Sequence, residues 1–388
     1  MPARSGRFEL VTSQGDDAFD ELLRGVAASP AVALSPPREG DVLAGRLVLG
    51  RMAGAGGMGT VYRALDRLTG ETVAVKIAAP HTAAEQARFT QEARLLAELR
   101  HPAIVRYLTH GVTEDDQPFL AMEWLEGEDL VERLARSRLS VADSVLLTLR
   151  AAEALAVAHA RGIVHRDVKP SNLYLVDREP ARVKLLDFGI ARVQRPGLAP
   201  ATRPLTHSGA VIGTVGYMSP EQATAATDLD ARSDVFSLGC VLFECLTGQP
   251  AFSGEHVVAV LAKVLHEPAI RARTLLPELP EALDDLVARM LTKERTARPA
   301  DAAALVRELA QLTNLSASLP AAPKAEPRLS RGEQRLVSVL LVGVEPGDSV
   351  AAATADSVER HGGKAAWLAQ RFLLVIWEAP TRDPALSA

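Results

Sequence analysis

Residues 163–175 read IVHRDVKPSNLYL and residues 185–191 read LLDFGIA, and everything else in the chain is best approached from these two stretches. The first packs His165, Arg166, Asp167, Lys169 and Asn172 between apolar runs. A loop with only a structural task rarely needs so many polar and ionisable groups so close together. Asp167 can accept the proton of an attacking hydroxyl, Lys169 can neutralise a moving phosphoryl group, and Asn172 offers an amide oxygen to a hard metal ion. In the second stretch Asp187 follows an apolar strand and precedes a glycine, which suits a second oxygen ligand for Mg²⁺.

Upstream, the chain from Arg46 alternates with period two. RLVLGRM, GTVYRALD and ETVAVKIA read as three antiparallel strands, with LDRLTGE as the turn between the last two. Between the first two strands sits GAGGMGTV, with Gly54, Gly56 and Gly59 followed by Val61. The spacing alone is weak, since ordinary turns use glycine and a dinucleotide-binding loop shares the pattern. Such a loop needs a helix directly after it, whereas this one runs into another strand, so it reads as a strand-turn-strand flap over phosphates. Lys76 ends the apolar strand TVAVK, and a charged side chain facing a cleft there needs an anion. Glu92, in a helix read from Ala83 to Leu99 by the spacing of Phe89, Ala93, Leu96 and Leu99, can supply one. IVRYLTHGVTEDDQPFLAMEWL then reads as two more strands around an acidic turn.

After Gly127 the spacing becomes helical in ADSVLLTLRAAEALAVAHARG, SDVFSLGCVLFECLTG, HVVAVLAKVLHE, LDDLVARMLTK and DAAALVRELAQL. The 388 residues, 47% hydrophobic and 23% charged, exceed what one core usually serves. A net charge of -5, from 43 basic and 48 acidic residues, gives no pull toward nucleic acid or anionic lipid. With 4% aromatics there is no base-stacking platform either. No run approaches a membrane span and the N-terminus lacks a signal-like apolar region, which points to the cytoplasm. Cys240 and Cys245 read as small core residues rather than a redox or metal pair.

The motifs from Gly54 to Arg298 occur in one order: the glycine-rich loop, VAVK, Glu92, HRDVKPSN, DFG, GTVGYMSPE, SDVFSLG and the closing RP. In this the chain resembles the eukaryotic-like serine/threonine protein kinases of bacteria. The resemblance implies an α+β, bilobal protein kinase fold, with a small antiparallel β lobe plus one helix (46–125) and a large α lobe (126–316). It implies ATP with Mg²⁺ or Mn²⁺ in the cleft. Ala53, Gly54, Ala55, Gly56, Gly57, Met58, Gly59 and Val61 would cover the nucleotide. Ala74 would touch adenine, Lys76, steadied by Glu92, would bind phosphates, and Met122 would be the gatekeeper. The backbone from Glu123 to Leu125 would meet the adenine edge and Asp129 the ribose. Asp167 would be the base with Lys169 beside it, and Asn172 and Asp187 would hold the metal. Asp234 would brace the catalytic loop, and Glu221 would pair with Arg298.

Lys169 in KPSN and Gly213-Thr214 resemble kinases acting on Ser and Thr of protein substrates. Arg166, directly before Asp167, resembles kinases switched on by activation-loop phosphorylation, with Thr206 and Ser208 as acceptors and self-association for phosphorylation in trans. Ala53 and Tyr174 depart from the family, which has a larger aliphatic residue above adenine and an apolar one below it. A pseudokinase scaffold is disfavoured by intact Lys76, Asp167, Asn172 and Asp187, and a small-molecule kinase by the complete SPE and GT platform.

Outside 46–316, residues 1–45 read as a flexible leader and 317–333 as a linker rich in Pro, Ala, Ser and charge. Residues 334–388 carry strands QRLVSVLLVGV and FLLVIW about a short helix, Ser349 to His361, and form a short α/β fragment. QRLVSVLLVGV and HGGKAAWLAQRFLLVIW resemble the opening part of class III nucleotide cyclase domains, loosely. Gly343 and Arg371 stand where such cyclases place metal-binding aspartates, so the segment is expected to be non-catalytic and the chain a truncated or fragment form.

Overall fold

The computed structural model describes residues 37–56, 59–78, 89, 93, 96–188, 215–254, 256–316, 337–343, 364–368 and 372–378. The first lobe is an antiparallel six-stranded sheet of β1 (Val42–Leu43), β2 (Leu47–Gly56), β3 (Gly59–Asp66), β4 (Thr72–Ile77), β5 (Tyr107–Val112) and β6 (Pro118–Glu123), in the order β1-β2-β3-β4-β6-β5. Its edge begins just upstream of Arg46, since Val42–Leu43 pairs with β2 and the Tyr62 hydroxyl donates to the Pro37 carbonyl. A two-residue strand is too short for alternation to reveal.

Period two gives the sheet two apolar faces. Leu47, Leu49, Tyr62, Ala64, Val73, Val75, Ile77, Phe119 and Ala121 form one cluster. Ala74, Tyr107, Leu120 and Met122 belong to a larger cluster that continues into the second lobe and includes Phe89, Ala93 and Leu96. Those last three residues are helical, as their spacing predicts. Lys76 alternates with Val75 and Ile77, so it shares the inner face with Ala74.

The second lobe opens with β7 (Gly127–Asp129) and α1 (Leu130–Arg136), whose N-cap is Asp129, accepting from the Glu132 N–H at 2.8 Å. α2 (Val141–His159) starts at Ser140, whose hydroxyl accepts from the Asp143 N–H. β8 (Leu173–Val176) and β9 (Val183–Leu185) join β7 in a three-stranded sheet ordered β7-β8-β9. α3 (Pro220–Ala223) carries a capping box between Ser219 and Gln222.

The pillar of the lobe is α4 (Ala231–Thr247), buried on nearly every side. Such a helix is mostly apolar, with Ser233, Asp234 and Ser237 buried among its apolar residues, and it packs against α2, α7 (Glu281–Met290) and α8 (Ala302–Ser316). A Cβ at Gly239 would lie 2.8 Å from the Met290 Cβ, so glycine sets how closely α4 and α7 approach. Cys240 and Cys245 are wholly buried in α4, and burial raises both thiols far above the usual range. α5 (Val257–His266) and α6 (Ala272–Leu275) complete the lobe.

In the tail, β10 (Val337–Gly343), β11 (Lys364–Leu368) and β12 (Phe372–Glu378) form an antiparallel sheet ordered β10-β12-β11. No helix among the described residues is long and apolar enough to cross a membrane.

Candidate active site

The loop from His165 to Asn172 is held from below by Asp234, in the first turn of α4. One carboxylate oxygen accepts the His165 N–H at 2.7 Å and the other the Arg166 N–H at 2.8 Å. His159 Nε2 lies 3.0 Å from the first of these, while its Nδ1 accepts the Ala302 N–H at 3.2 Å. The ring proton therefore sits on Nε2 and is given to Asp234. Through His159 the loop is tied to both α2 and α8.

His165 is wholly buried, which lowers its pKa despite Asp234 nearby, so it is neutral. Its Nδ1 accepts the Asp167 N–H at 3.3 Å, and Nε2 is 3.0 Å from the Leu186 carbonyl. A carbonyl can only accept, so Nε2 carries the proton and ties the loop to the residue before Asp187. The Leu186 N–H in turn donates to the Asn172 carbonyl at 2.9 Å, and β8 pairs with β9 from Leu173 opposite Leu185. The two stretches separated in sequence are thus one unit in space.

Within that unit Lys169 Nζ is 3.0 Å from Asp167 Oδ2. Asn172 Nδ2 donates to the Asp167 carbonyl at 2.7 Å and to Oδ2 at 3.0 Å. With its nitrogen spent on Asp167, the Asn172 amide keeps its oxygen as a ligand atom. Asp187 has positive φ, 49°, and its Oδ1 is 2.8 Å from Lys76 Nζ. An amide oxygen and a carboxylate are hard donors that fit a small divalent cation keeping several of its waters.

The strand register sets several first-lobe residues in relation to Lys76. Val61 lies opposite Lys76 in β3–β4, and Ala74 opposite Met122 in β4–β6. Gly54 pairs with Val61 and Gly56 with Gly59 across the β2–β3 turn, with Ala53 and Ala55 on β2. Gly59 has φ +127°, and a Cβ there would lie 2.1 Å from the Ile77 carbonyl oxygen, so no other residue fits. Glu92, Gly57 and Met58 lie outside the described residues, as do Thr206, Ser208, Gly213 and Thr214.

At the connection between the lobes, the Glu123 carboxylate accepts the Arg106 N–H at 2.7 Å and Lys184 Nζ at 2.5 Å. Lys184 belongs to β9, so this ion pair clamps the first lobe onto the small sheet of the second. The Tyr174 hydroxyl donates to the Leu125 carbonyl at 3.4 Å, joining the floor of the cleft to its rim. Burial raises the Asp129 carboxyl, which is engaged in capping α1.

Below the cleft Arg298 is bidentate to Glu221, at 2.8 and 3.1 Å, and the Ser233 hydroxyl adds a third bond at 2.7 Å. Burial alone would raise the Glu221 carboxyl, but Arg298 outweighs it and holds it low. Arg166 has φ 65°, and its Nε is buried without a hydrogen-bond partner among the described residues.

Sequence reading missed His159, Lys184 and the side chain of Glu123. Their partners lie in other motifs, and no local pattern marks a histidine or a lysine as one half of such a contact.

Residues 47–310 match the family model described as the protein kinase domain. Among curated proteins, the chain is 37% identical over 295 residues to a probable serine/threonine-protein kinase PknB of Bifidobacterium longum, covering 73% of this chain and 41% of that protein. It is 35% identical over 350 residues to serine/threonine-protein kinase PknB of Mycolicibacterium smegmatis, covering 86% and 53%. It is 38% identical over 281 residues to the DNA damage-responsive serine/threonine-protein kinase RqkA of Deinococcus radiodurans, covering 70% and 40%. The chain thus spans about half or less of the length of these relatives. Among solved structures, the Mycobacterium tuberculosis PknI kinase domain aligns with TM-score 0.55 at 26% identity, over 73% of this chain and all of that one. Rad53 in complex with AMP-PNP aligns with TM-score 0.56 at 25% identity, over 68% and 64%.

Proposed function

The chain belongs to the protein kinase domain family, and from that premise we propose that it transfers the γ-phosphoryl group of ATP to Ser and Thr hydroxyls of proteins, itself included, with Mg²⁺ or Mn²⁺ as the metal. The observation that carries this is the joining of Asp167, Lys169 and Asn172 to the Leu186–Asp187 segment through paired hydrogen bonds and ion pairs.

Bound metal-ATP would supply the transferable phosphoryl group and the charge that offsets its departure. The chain's own groups do the rest. Asp167 takes the proton of the attacking hydroxyl, and Lys169, already beside it, neutralises charge on the moving group. The Asn172 amide oxygen and the Asp187 carboxylate hold the metal. Lys76 exchanges Asp187 for the α and β phosphates. The β2–β3 turn, from Ala53 to Gly59 with Val61, covers the nucleotide, and Glu92 steadies Lys76. Ala74, Met122 and the backbone from Glu123 to Leu125 contact adenine, and Asp129 takes the ribose. Catalysis of this kind rests on positioning and electrostatics more than on covalent chemistry.

Arg166 supports a further part of the reading. A buried guanidinium nitrogen without a partner among the described residues suits a phosphate on Thr206 or Ser208. The segment 334–388 is read as a non-catalytic, partial cyclase-like unit that promotes self-association, and the chain as a cytoplasmic signalling enzyme.

The test is to incubate the purified chain with labelled ATP, Mg²⁺ and a basic protein substrate, and to map the modified residues by mass spectrometry. Label on Ser and Thr of both proteins is expected. Nucleotide binding with no transfer to any acceptor would replace this reading with a scaffold.

A further inference from the structure

Of the four tyrosines in the chain, three have a hydroxyl partner: Tyr62 on the Pro37 carbonyl, Tyr174 on the Leu125 carbonyl and Tyr217 on Glu244. Tyr107 is 3% exposed, and its hydroxyl has no hydrogen-bond partner among the described residues. Left alone, a buried hydroxyl is destabilising, and such a group calls for an explanation.

Its position supplies one. Tyr107 opens β5 opposite Met122, and the register shifts immediately afterwards, between Tyr107 and Thr109. An irregularity of this kind turns a strand and re-aims a side chain, and it is frequent beside active sites. The ring belongs to the apolar cluster that contains Leu96, Met122 and Phe188. Val105, two residues before Tyr107, donates its N–H to the Leu185 carbonyl at 3.0 Å, and Ile104 bridges Leu185 in parallel, so the chain leading into Tyr107 runs alongside the chain leading into Asp187. That pairing brings the buried hydroxyl to the neighbourhood of the carboxylate that Lys76 holds at 2.8 Å, and burial first, then the Asp187 charge, raises the Tyr107 pKa.

We propose that Tyr107 is a positioning residue for Asp187, its hydroxyl donating to that carboxylate when Lys76 leaves it for the nucleotide phosphates. The inference rests on the reading of Asp187 as a metal ligand. In the free chain the ammonium of Lys76 satisfies Asp187, and the Tyr107 hydroxyl is left over. A nucleotide competes for the same ammonium, and Asp187 then needs another donor to keep its orientation toward the metal. Tyr107 supplies it from the opposite lobe, so nucleotide and metal binding are coupled through one hydrogen bond.

The Tyr107→Phe substitution in the full chain removes the hydroxyl and keeps the ring. Two readouts are independent of turnover. The melting temperature of the free variant should rise by about 2–4 °C, because a buried unpaired group is gone. Mn²⁺ binding, titrated calorimetrically in the presence of a non-hydrolysable ATP analogue, should weaken about ten-fold, the size of a hydrogen bond to a charged group.

Mn²⁺ affinity that is unchanged or tighter in the variant, with wild type binding normally, overturns this inference and leaves the kinase reading intact. A lower melting temperature of the free variant overturns it as well, since the hydroxyl then has a partner without nucleotide. If wild type itself binds no Mn²⁺ with the analogue, the assignment of Asp187 falls, and this inference falls with it.

Discussion

At the scale of single residues, Arg166 and Asp234 make the clearest contrast. Asp234 is fully spent on the His165 and Arg166 N–H groups and on His159, whereas the Arg166 Nε is buried with no partner among the described residues. A phosphate adds about 1.5 to 2 negative charges and strong acceptor oxygens, which would satisfy that nitrogen. Replacing both Thr206 and Ser208 by Ala should therefore lower the phosphorylation rate about ten-fold or more, measured on an exogenous protein substrate; full activity in the double variant would rule out control by these residues. The HRDVKPSN and DFG stretches stand out in sequence because their chemistry is local: several polar groups crowd a short loop between apolar strands. His159, Lys184 and Tyr107 do not. Each looks ordinary where it stands, and its meaning comes from the surroundings the fold gives it.

Among elements, the strands of the first lobe were legible wherever alternation ran for several residues, and β1 was not because it offers only Val42 and Leu43. What fixes that end of the sheet is a side-chain tie. Arg46 is bidentate to Asp66 at 2.7 and 2.5 Å, and Asp66 also accepts the Leu68 N–H at 3.0 Å, closing the turn between β3 and β4. The hydrogen bonds from Arg46 outweigh burial and hold the Asp66 carboxyl down to about 2, against 3.8 when unfolded. A carboxyl depressed in the folded state stabilises it above the unfolded value and loses that contribution as pH falls through the folded one. The stability advantage of wild type over Asp66→Asn, read from urea unfolding, should be constant above about pH 5 and shrink between about pH 4 and pH 2. An advantage that persists unchanged to pH 2 would place the stabilisation elsewhere.

For the molecule as a whole, the two-lobed plan followed from the change of period near Gly127, and the cleft from the motifs on either side of it. The clamp between Glu123 and Lys184 did not, since neither strand reveals what it will face. In FLLVIW every position is apolar, so both faces of a strand with period two are apolar. A three-stranded sheet of that composition needs cover on both sides, and exposed edges invite pairing with another chain. The chain ending at Ser316 should keep the phosphorylation rate of the full chain per molecule and scatter light as a smaller species. A large loss of rate with unchanged association would make the tail part of the catalytic unit. The central claim is that Asp167 and its neighbours make this chain a protein phosphotransferase, and one comparison tests it most directly. Wild type and Asp167→Asn are assayed side by side with labelled ATP and Mg²⁺, with nucleotide binding measured on both. Asn keeps the shape and cannot take the proton, so incorporation on Ser and Thr should fall by at least about 100-fold while nucleotide affinity stays close to that of wild type. Undiminished incorporation in Asp167→Asn would contradict the account.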